Sequence, residues 1–198
     1  MKKIYLIPLI ILFFSSFTIA QNPEAGNVRL SILTERIQYP STGRFTQSFG
    51  LQLEWFVSDL ISLNYNFDGG FNIDRKFYFH MPLGTWFASY PFSTYANTGQ
   101  NFWLYASVIS LVIPEGINFN IRPSETMMIS PYIAPLGVYY ERRIENDNRS
   151  FEAGFSGGLK FSVSKENLFF APYAGMRSLY KRGSTWGIVG GVNLGVTF

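Results

Sequence analysis

Thr185-Trp186-Gly187-Ile188-Val189-Gly190-Gly191-Val192-Asn193-Leu194-Gly195-Val196-Thr197-Phe198 alternates with a period of two. Trp186, Ile188, Gly190, Val192, Leu194, Val196 and Phe198 share one face, and Thr185, Gly187, Val189, Gly191, Asn193, Gly195 and Thr197 share the other. Successive side chains of a strand point to opposite sides, so the pattern predicts a strand with one oily face and one small or polar face. Working back along the chain, Phe151, Ala153, Phe155, Gly157, Leu159, Phe161 and Val163 stand against Ser150, Glu152, Gly154, Ser156, Gly158, Lys160 and Ser162. Phe45, Gln47, Phe49, Leu51, Leu53 and Trp55 stand likewise against Arg44, Thr46, Ser48, Gly50, Gln52 and Glu54, and Ile61, Leu63, Tyr65 and Phe67 against Ser62, Asn64, Asn66 and Asp68. Runs of up to about fourteen residues exceed the usual strand of five or six and suit the nine to eleven tilted residues that cross a bilayer.

The other end of the chain reads differently. Lys2 and Lys3 precede an apolar run from Ile4 to Phe14, followed by Ser15, Ser16, Phe17, Thr18, Ile19 and Ala20. A positive start, an apolar middle and small residues before a cut describe a secretory signal peptide over 1–20, leaving one mature domain over 21–198. The run is too short for a spanning helix and contains Pro8. Removing the two leader lysines leaves fourteen basic residues against thirteen acidic ones, a balance that gives no reason to invoke nucleic acid. The absence of cysteine excludes disulfides and the acylated cysteine of a lipoprotein. Aromatics make up 18% of the chain and charged residues only 15%. A soluble domain would need an unusually large core to hide that composition, whereas a membrane barrel displays it as an outward apolar band with aromatic girdles.

Turns and loops alternate in length. Short polar turns fall at Val57-Ser58-Asp59-Leu60, Arg122-Pro123-Ser124-Glu125-Thr126 and Ser164-Lys165-Glu166-Asn167, and longer charged connections at 35–43, 141–149 and 178–184. Short turns at the periplasmic end and long loops at the outer end are what an up-and-down barrel requires when both termini are periplasmic. Eight strands are expected, over 28–35, 44–56, 60–71, 116–122, 127–141, 150–163, 167–179 and 185–198. Residues 72–115 do not fit as a simple loop, because they include Lys76 to His80 and the apolar run Phe102 to Ile113. They are read as a long, partly helical second outer loop, with a ten-stranded barrel as the alternative.

The signal peptide, the turn Phe56-Val57-Ser58-Asp59-Leu60 and the last strand with its terminal aromatic resemble the small outer-membrane β-barrel proteins of diderm bacteria, the OmpA-barrel, OmpX and OmpW-like group. The resemblance implies an all-β transmembrane barrel in the bacterial outer membrane, with membrane lipid and the barrel-assembly machinery as partners. It also implies that Phe198 is the candidate signal that this machinery reads.

No residue set announces catalysis. His80 is the sole histidine, so neither a metal site nor a cofactor is expected. A lipid-modifying His and Ser pair is a formal option for Tyr78-Phe79-His80-Met81-Pro82, but the compact His-x-Ser pattern is broken by Pro82, and His80 is read as a loop histidine without a chemical task. Ser162 to Lys165 and Ser178 to Lys181 match a Ser-x-x-Lys spacing that needs a helical turn, yet both fall where strands meet turns. The glycines near 154–158 and 187–195 open no helix and suit tight strand curvature better than phosphate binding. Asn148-Arg149-Ser150 fits a glycosylation pattern that carries no weight in a bacterial envelope.

Arg29, Glu54, Glu152 and Lys160 lie opposite the apolar faces of their strands. A charge facing lipid costs about 2–4 kcal/mol near mid-bilayer, so they are the candidate barrel-interior charges, forming an ion-pair network that fills a narrow lumen. The expected function is a non-enzymatic integral outer-membrane protein with a structural or interaction role at the envelope. The alternatives are a narrow channel or carrier for small hydrophobic solutes, and a soluble lipocalin-like barrel, in which the apolar faces would turn inward.

Overall fold

A computed structural model of the chain describes residues 22–40, 44–72, 76–86, 108, 112–143, 149–179 and 185–198. The signal peptide expected over 1–20 lies outside them. Among the described residues, nine strands form one antiparallel sheet: β1 (Val28–Tyr39), β2 (Arg44–Phe56), β3 (Ile61–Asn72), β4 (Lys76–Pro82), β5 (Gly116–Phe119), β6 (Met127–Arg143), β7 (Arg149–Lys165), β8 (Leu168–Leu179) and β9 (Thr185–Thr197). Because β1 pairs with β2 on one side and β9 on the other, and β2 pairs on to β3, the sheet closes on itself and no whole strand stands at a free edge. Reciprocal backbone bonds between Val28 and Phe198, of 3.1 and 2.8 Å, finish that seam at the end where the chain's last residue lies.

The nine strands make eight staves. β4 pairs with residues 68–71 of β3 and 137–143 of β6, while β5 pairs with 61–64 of β3 and 132–133 of β6. β4 and β5 are therefore the two halves of one stave, β4 towards the barrel's long-loop end and β5 towards its short-turn end, interrupted by residues 83–115. This corrects the expectation for 72–115 in two ways. Residues 76–82 belong to the barrel wall, and they complete the fourth stave instead of adding two further strands. The excursion consequently leaves from the middle of the wall, starting with one helical turn at 83–86, and not from the barrel's outer end. Opposite the break, β6 carries a bulge between Ala134 and Gly137. The bulge restores inward alternation, so that Ala134 below it and Tyr139 above it both face the lumen.

Polarity runs outward to inward in the sense opposite to a soluble barrel. Leu53, Phe155 and Leu194 are 36%, 37% and 55% exposed, whereas Arg29, Glu54 and Lys160 are 1–3% exposed. Glycine lets the curved wall close where backbones nearly touch. A Cβ on Gly195 would fall 2.1 Å from the Leu30 carbonyl oxygen, and one on Gly158 would fall 2.2 Å from that of Ala174.

Candidate functional site

The functional question lies in the lumen, because it gathers the chain's buried charge. Its end nearest the short turns is blocked. Arg29 stacks over Phe56 and Phe169, with its guanidinium carbon 5.3 and 4.3 Å from the ring centres. Its nitrogens donate to Ser164 Oγ at 2.9 Å, Ser162 Oγ at 3.4 Å and Thr197 Oγ1 at 3.3 Å. Below this stopper the first described residues cross the mouth: Asn22 donates to the carbonyls of Ser124 and Met127 at 2.5 and 3.2 Å, and Arg122 donates to the Pro23 carbonyl. Since β1 and β6 are opposite staves, this strap spans the diameter of the barrel.

Above the stopper, Glu54 accepts from Lys160 Nζ at 2.8 Å, Ser62 Oγ at 2.6 Å and Asn118 Nδ2 at 2.5 Å. Carboxylate and ammonium are thus paired and hydrogen-bonded, which is the condition under which charges are tolerated away from water. A tier of amides follows. Gln52 donates to Asn66 at 2.6 Å and accepts from Asn193 at 2.5 Å, and Asn64 and Asn118 exchange bonds of 2.5 and 2.8 Å.

The outer tier is built differently. Arg177 donates to both oxygens of Glu35, at 2.7 and 3.1 Å, and to Tyr78 OH at 2.9 Å, and Tyr173 OH donates to Glu35 at 3.0 Å. Beside them His80, wholly buried, places Nδ1 2.6 Å from Asp68 Oδ1 and Nε2 3.0 Å from Glu115 Oε1. Its ring lies on Tyr139, 4.4 Å between centres and 6° from parallel. The Glu115 contact is a charge contact without hydrogen-bond alignment: neither oxygen of Glu115 receives a hydrogen bond from the described residues, although the side chain is 0% exposed. Both imidazole nitrogens therefore face carboxylates, which leaves His80 as a bridge between β3 and the re-entry point of the excursion. A nucleophile-activating histidine needs one nitrogen directed at a hydroxyl or thiol, and that nitrogen here meets Glu115. Among the described residues no group of three or more His, Cys, Asp or Glu side chains is arranged to hold a metal ion.

The structure buries Arg29, Glu54 and Lys160 inside the barrel: Glu54 pairs with Lys160 and stands across the β1–β2 ladder from Arg29, whose own hydrogen bonds go to Ser162, Ser164 and Thr197. Glu152 stands opposite Tyr139 in the β6–β7 ladder, and its side chain lies outside the described residues. His80, read as a loop residue, instead sits in β4 with its side chain in the lumen. Ser162 points inward on β7, where an offset of three sends Lys165 to the other face, so that pair forms no Ser-x-x-Lys site. Lys181 is outside the described residues. Glu35, Arg177 and Glu115 escaped the sequence reading. The signal for the first two was their odd positions on β1 and β8, the parity of Arg29, Ser31, Phe169 and Ala171, all buried inside. A cavity of about 30 Å³ remains between the tiers, lined by Glu35, Asn66, Asp68, Tyr132, Arg177 and Asn193. That space suits one or two waters.

A closed antiparallel barrel of eight staves, polar within and apolar without, defines a membrane β-barrel. Among solved structures the chain is similar to the N-terminal β-barrel domain of Pseudomonas aeruginosa OprF, at 12% identity and a TM-score of 0.48, over 89% of this chain and 100% of that one. It is also similar to Neisserial surface protein A (9% identity, TM-score 0.47, 86% and 94% of the two chains) and to Ail of Yersinia pestis (10%, 0.44, 88% and 99%). No protein-family model and no curated protein sequence matches the chain. The membrane reading rests on the chain's own faces.

Proposed function

We propose that this protein is a non-enzymatic integral protein of the bacterial outer membrane, whose barrel is a sealed anchor for loops that meet an envelope or surface partner. The observation that carries the reading is the filled lumen. Among the described residues, stopper, ion pairs, amide tier and outer charge cluster follow one another along the barrel, and the cavity between them holds about 30 Å³. The proposed route is export by the 1–20 leader and insertion by the barrel-assembly machinery, with Phe198 as the terminal signal. Phe198 is 71% exposed at the periplasmic end of β9, which makes it accessible to such a reader.

The test is electrical and biochemical. Folded protein reconstituted in a planar bilayer should give no steps above baseline, and the same protein should stay in the membrane fraction and migrate heat-modifiably on a gel. Stable single-channel conductance would replace the anchor with the narrow-channel reading. Turnover of a lipid or ester by pure protein in liposomes would overturn the non-enzymatic assignment.

A further inference from the structure

The break in the fourth stave lies opposite residues 65–67, the middle of β3. At ~3.4 Å per residue and a tilt of ~40°, that is roughly 10–16 Å above the periplasmic turn, well within an apolar band ~25 Å tall. A chain that leaves the wall there must enter either lumen or lipid. The side is decided by Tyr65, which shares the outward face of β3 with Leu63 and Phe67 and donates its hydroxyl to the Val112 carbonyl at 2.8 Å. Val112 therefore stands outside the barrel.

We propose that the return limb of the excursion, Val112 to Pro114, lies in the hydrocarbon against the outer face of β3 and β5, with lipid acyl chains as its contact partner. Val112 and Ile113 are 67% and 39% exposed and continue an uncharged outward surface made by Leu60, Ile61, Ile117 and Phe119. Lipid-exposed irregular backbone is ordinarily excluded from hydrocarbon because each unsatisfied polar group costs several kcal/mol, so a limb lying there needs its polar groups capped or absent. Both devices are present. Tyr65 caps the Val112 carbonyl, Pro114 in the limb has no N–H to satisfy, and Pro82 and Pro135 remove two more where β4 and β6 border the break. Glu115 then returns the chain to the wall, its N–H donating to the Asn64 carbonyl at 2.8 Å and its carbonyl accepting from Leu136 N–H at 3.1 Å. A limb on the outer loops' side of the membrane would need none of these arrangements.

This inference rests on the membrane reading, and the experiment separates the two. The chain has no cysteine, so single cysteines at Val112, Ile113, Leu194, Leu53 and Glu125 can be spin-labelled in the full mature protein and measured in liposomes. Labels at 112 and 113 should favour collision with oxygen over a water-soluble nickel chelate as those at 194 and 53 do, with the reverse at 125. Reaction of the 112 and 113 thiols with a charged maleimide should be roughly tenfold slower than at 125, because the reagent is excluded from hydrocarbon. Nickel accessibility at 112 and 113 equal to that at 125, with 194 and 53 still lipid-exposed, would overturn the inference alone. Nickel accessibility at 194 and 53 as well would overturn the membrane reading. Shielding of 112 and 113 from both reagents would replace lipid by a second copy of the chain and also overturn the proposal.

Discussion

The two charge clusters of the lumen share a barrel and little else. In the periplasmic cluster one carboxylate, Glu54, faces two cations, Lys160 and Arg29, and its hydrogen-bond capacity is used by Ser62, Asn118 and Lys160. In the outer cluster three carboxylates, Glu35, Asp68 and Glu115, face Arg177 and His80, and the Glu115 oxygens receive no hydrogen bond from the described residues. The first cluster ties β2, β3 and β7 to β5, one half of the interrupted stave, through groups whose hydrogen bonds are all made. The second joins the two ends of an interrupted stave, since His80 closes β4 and Glu115 opens the return. The lesson is that saturated pairing serves as filler, whereas the less saturated set sits where the wall was cut and needs a tie.

The comparison breaks most visibly in the periplasmic cluster. Glu54→Ala strands Lys160 and Arg29 without their carboxylate and should cost about 3–5 kcal/mol in urea unfolding followed by heat-modifiable migration. Replacing Glu54 and Lys160 together by leucine should cost much less, since no uncompensated charge remains. An equal loss in the single and double variants would show that Glu54 acts through shape and not through charge.

His80→Phe keeps the stack on Tyr139 but removes both carboxylate contacts, and should cost about 2–3 kcal/mol. Combined with Glu54→Ala, the two losses should add to within about 0.5 kcal/mol if the clusters are independent. A larger discrepancy would join them into one network through the amide tier.

Asn22→Ala removes the bonds of the strap across the periplasmic mouth, with an expected loss of about 1 kcal/mol, and conductance should stay absent because the Arg29 stopper remains. Conductance appearing in this variant would move the seal from the stopper to the strap. Smallest is Tyr65→Phe, expected at about 0.5–1 kcal/mol, with faster motion of a spin label at residue 112 as its sensitive readout. An unchanged label would show that other contacts hold the limb.

Much of this was legible in the chain. Four of the seven continuous strands, β2, β3, β7 and β9, announce themselves by alternation, because lipid outside and a crowded interior impose opposite demands on neighbouring residues; β6, with its bulge, does not keep one period throughout. Arg29, Glu54 and Lys160 could be assigned to one face by parity alone. The fourth stave could not be read this way, since its halves are separated by more than thirty residues and Lys76 to Pro82 presents only one short alternating stretch. Its partners are set by register with β3 and β6, a non-local property. His80 was misplaced for the same reason: a histidine in a presumed loop has no expected neighbours, whereas the register Asp68↔His80 puts it beside a carboxylate.

What the sequence determined by itself is the two-faced strand, repeated at bilayer length, and the shortage of charge that allows one of those faces to meet lipid. Which face is inside, that a severed stave completes the wall, and that Glu115 meets His80 were decided only by tertiary structure. Alternation carries the distinction between faces but not its direction, and the pairing of distant segments depends on closure of the whole sheet.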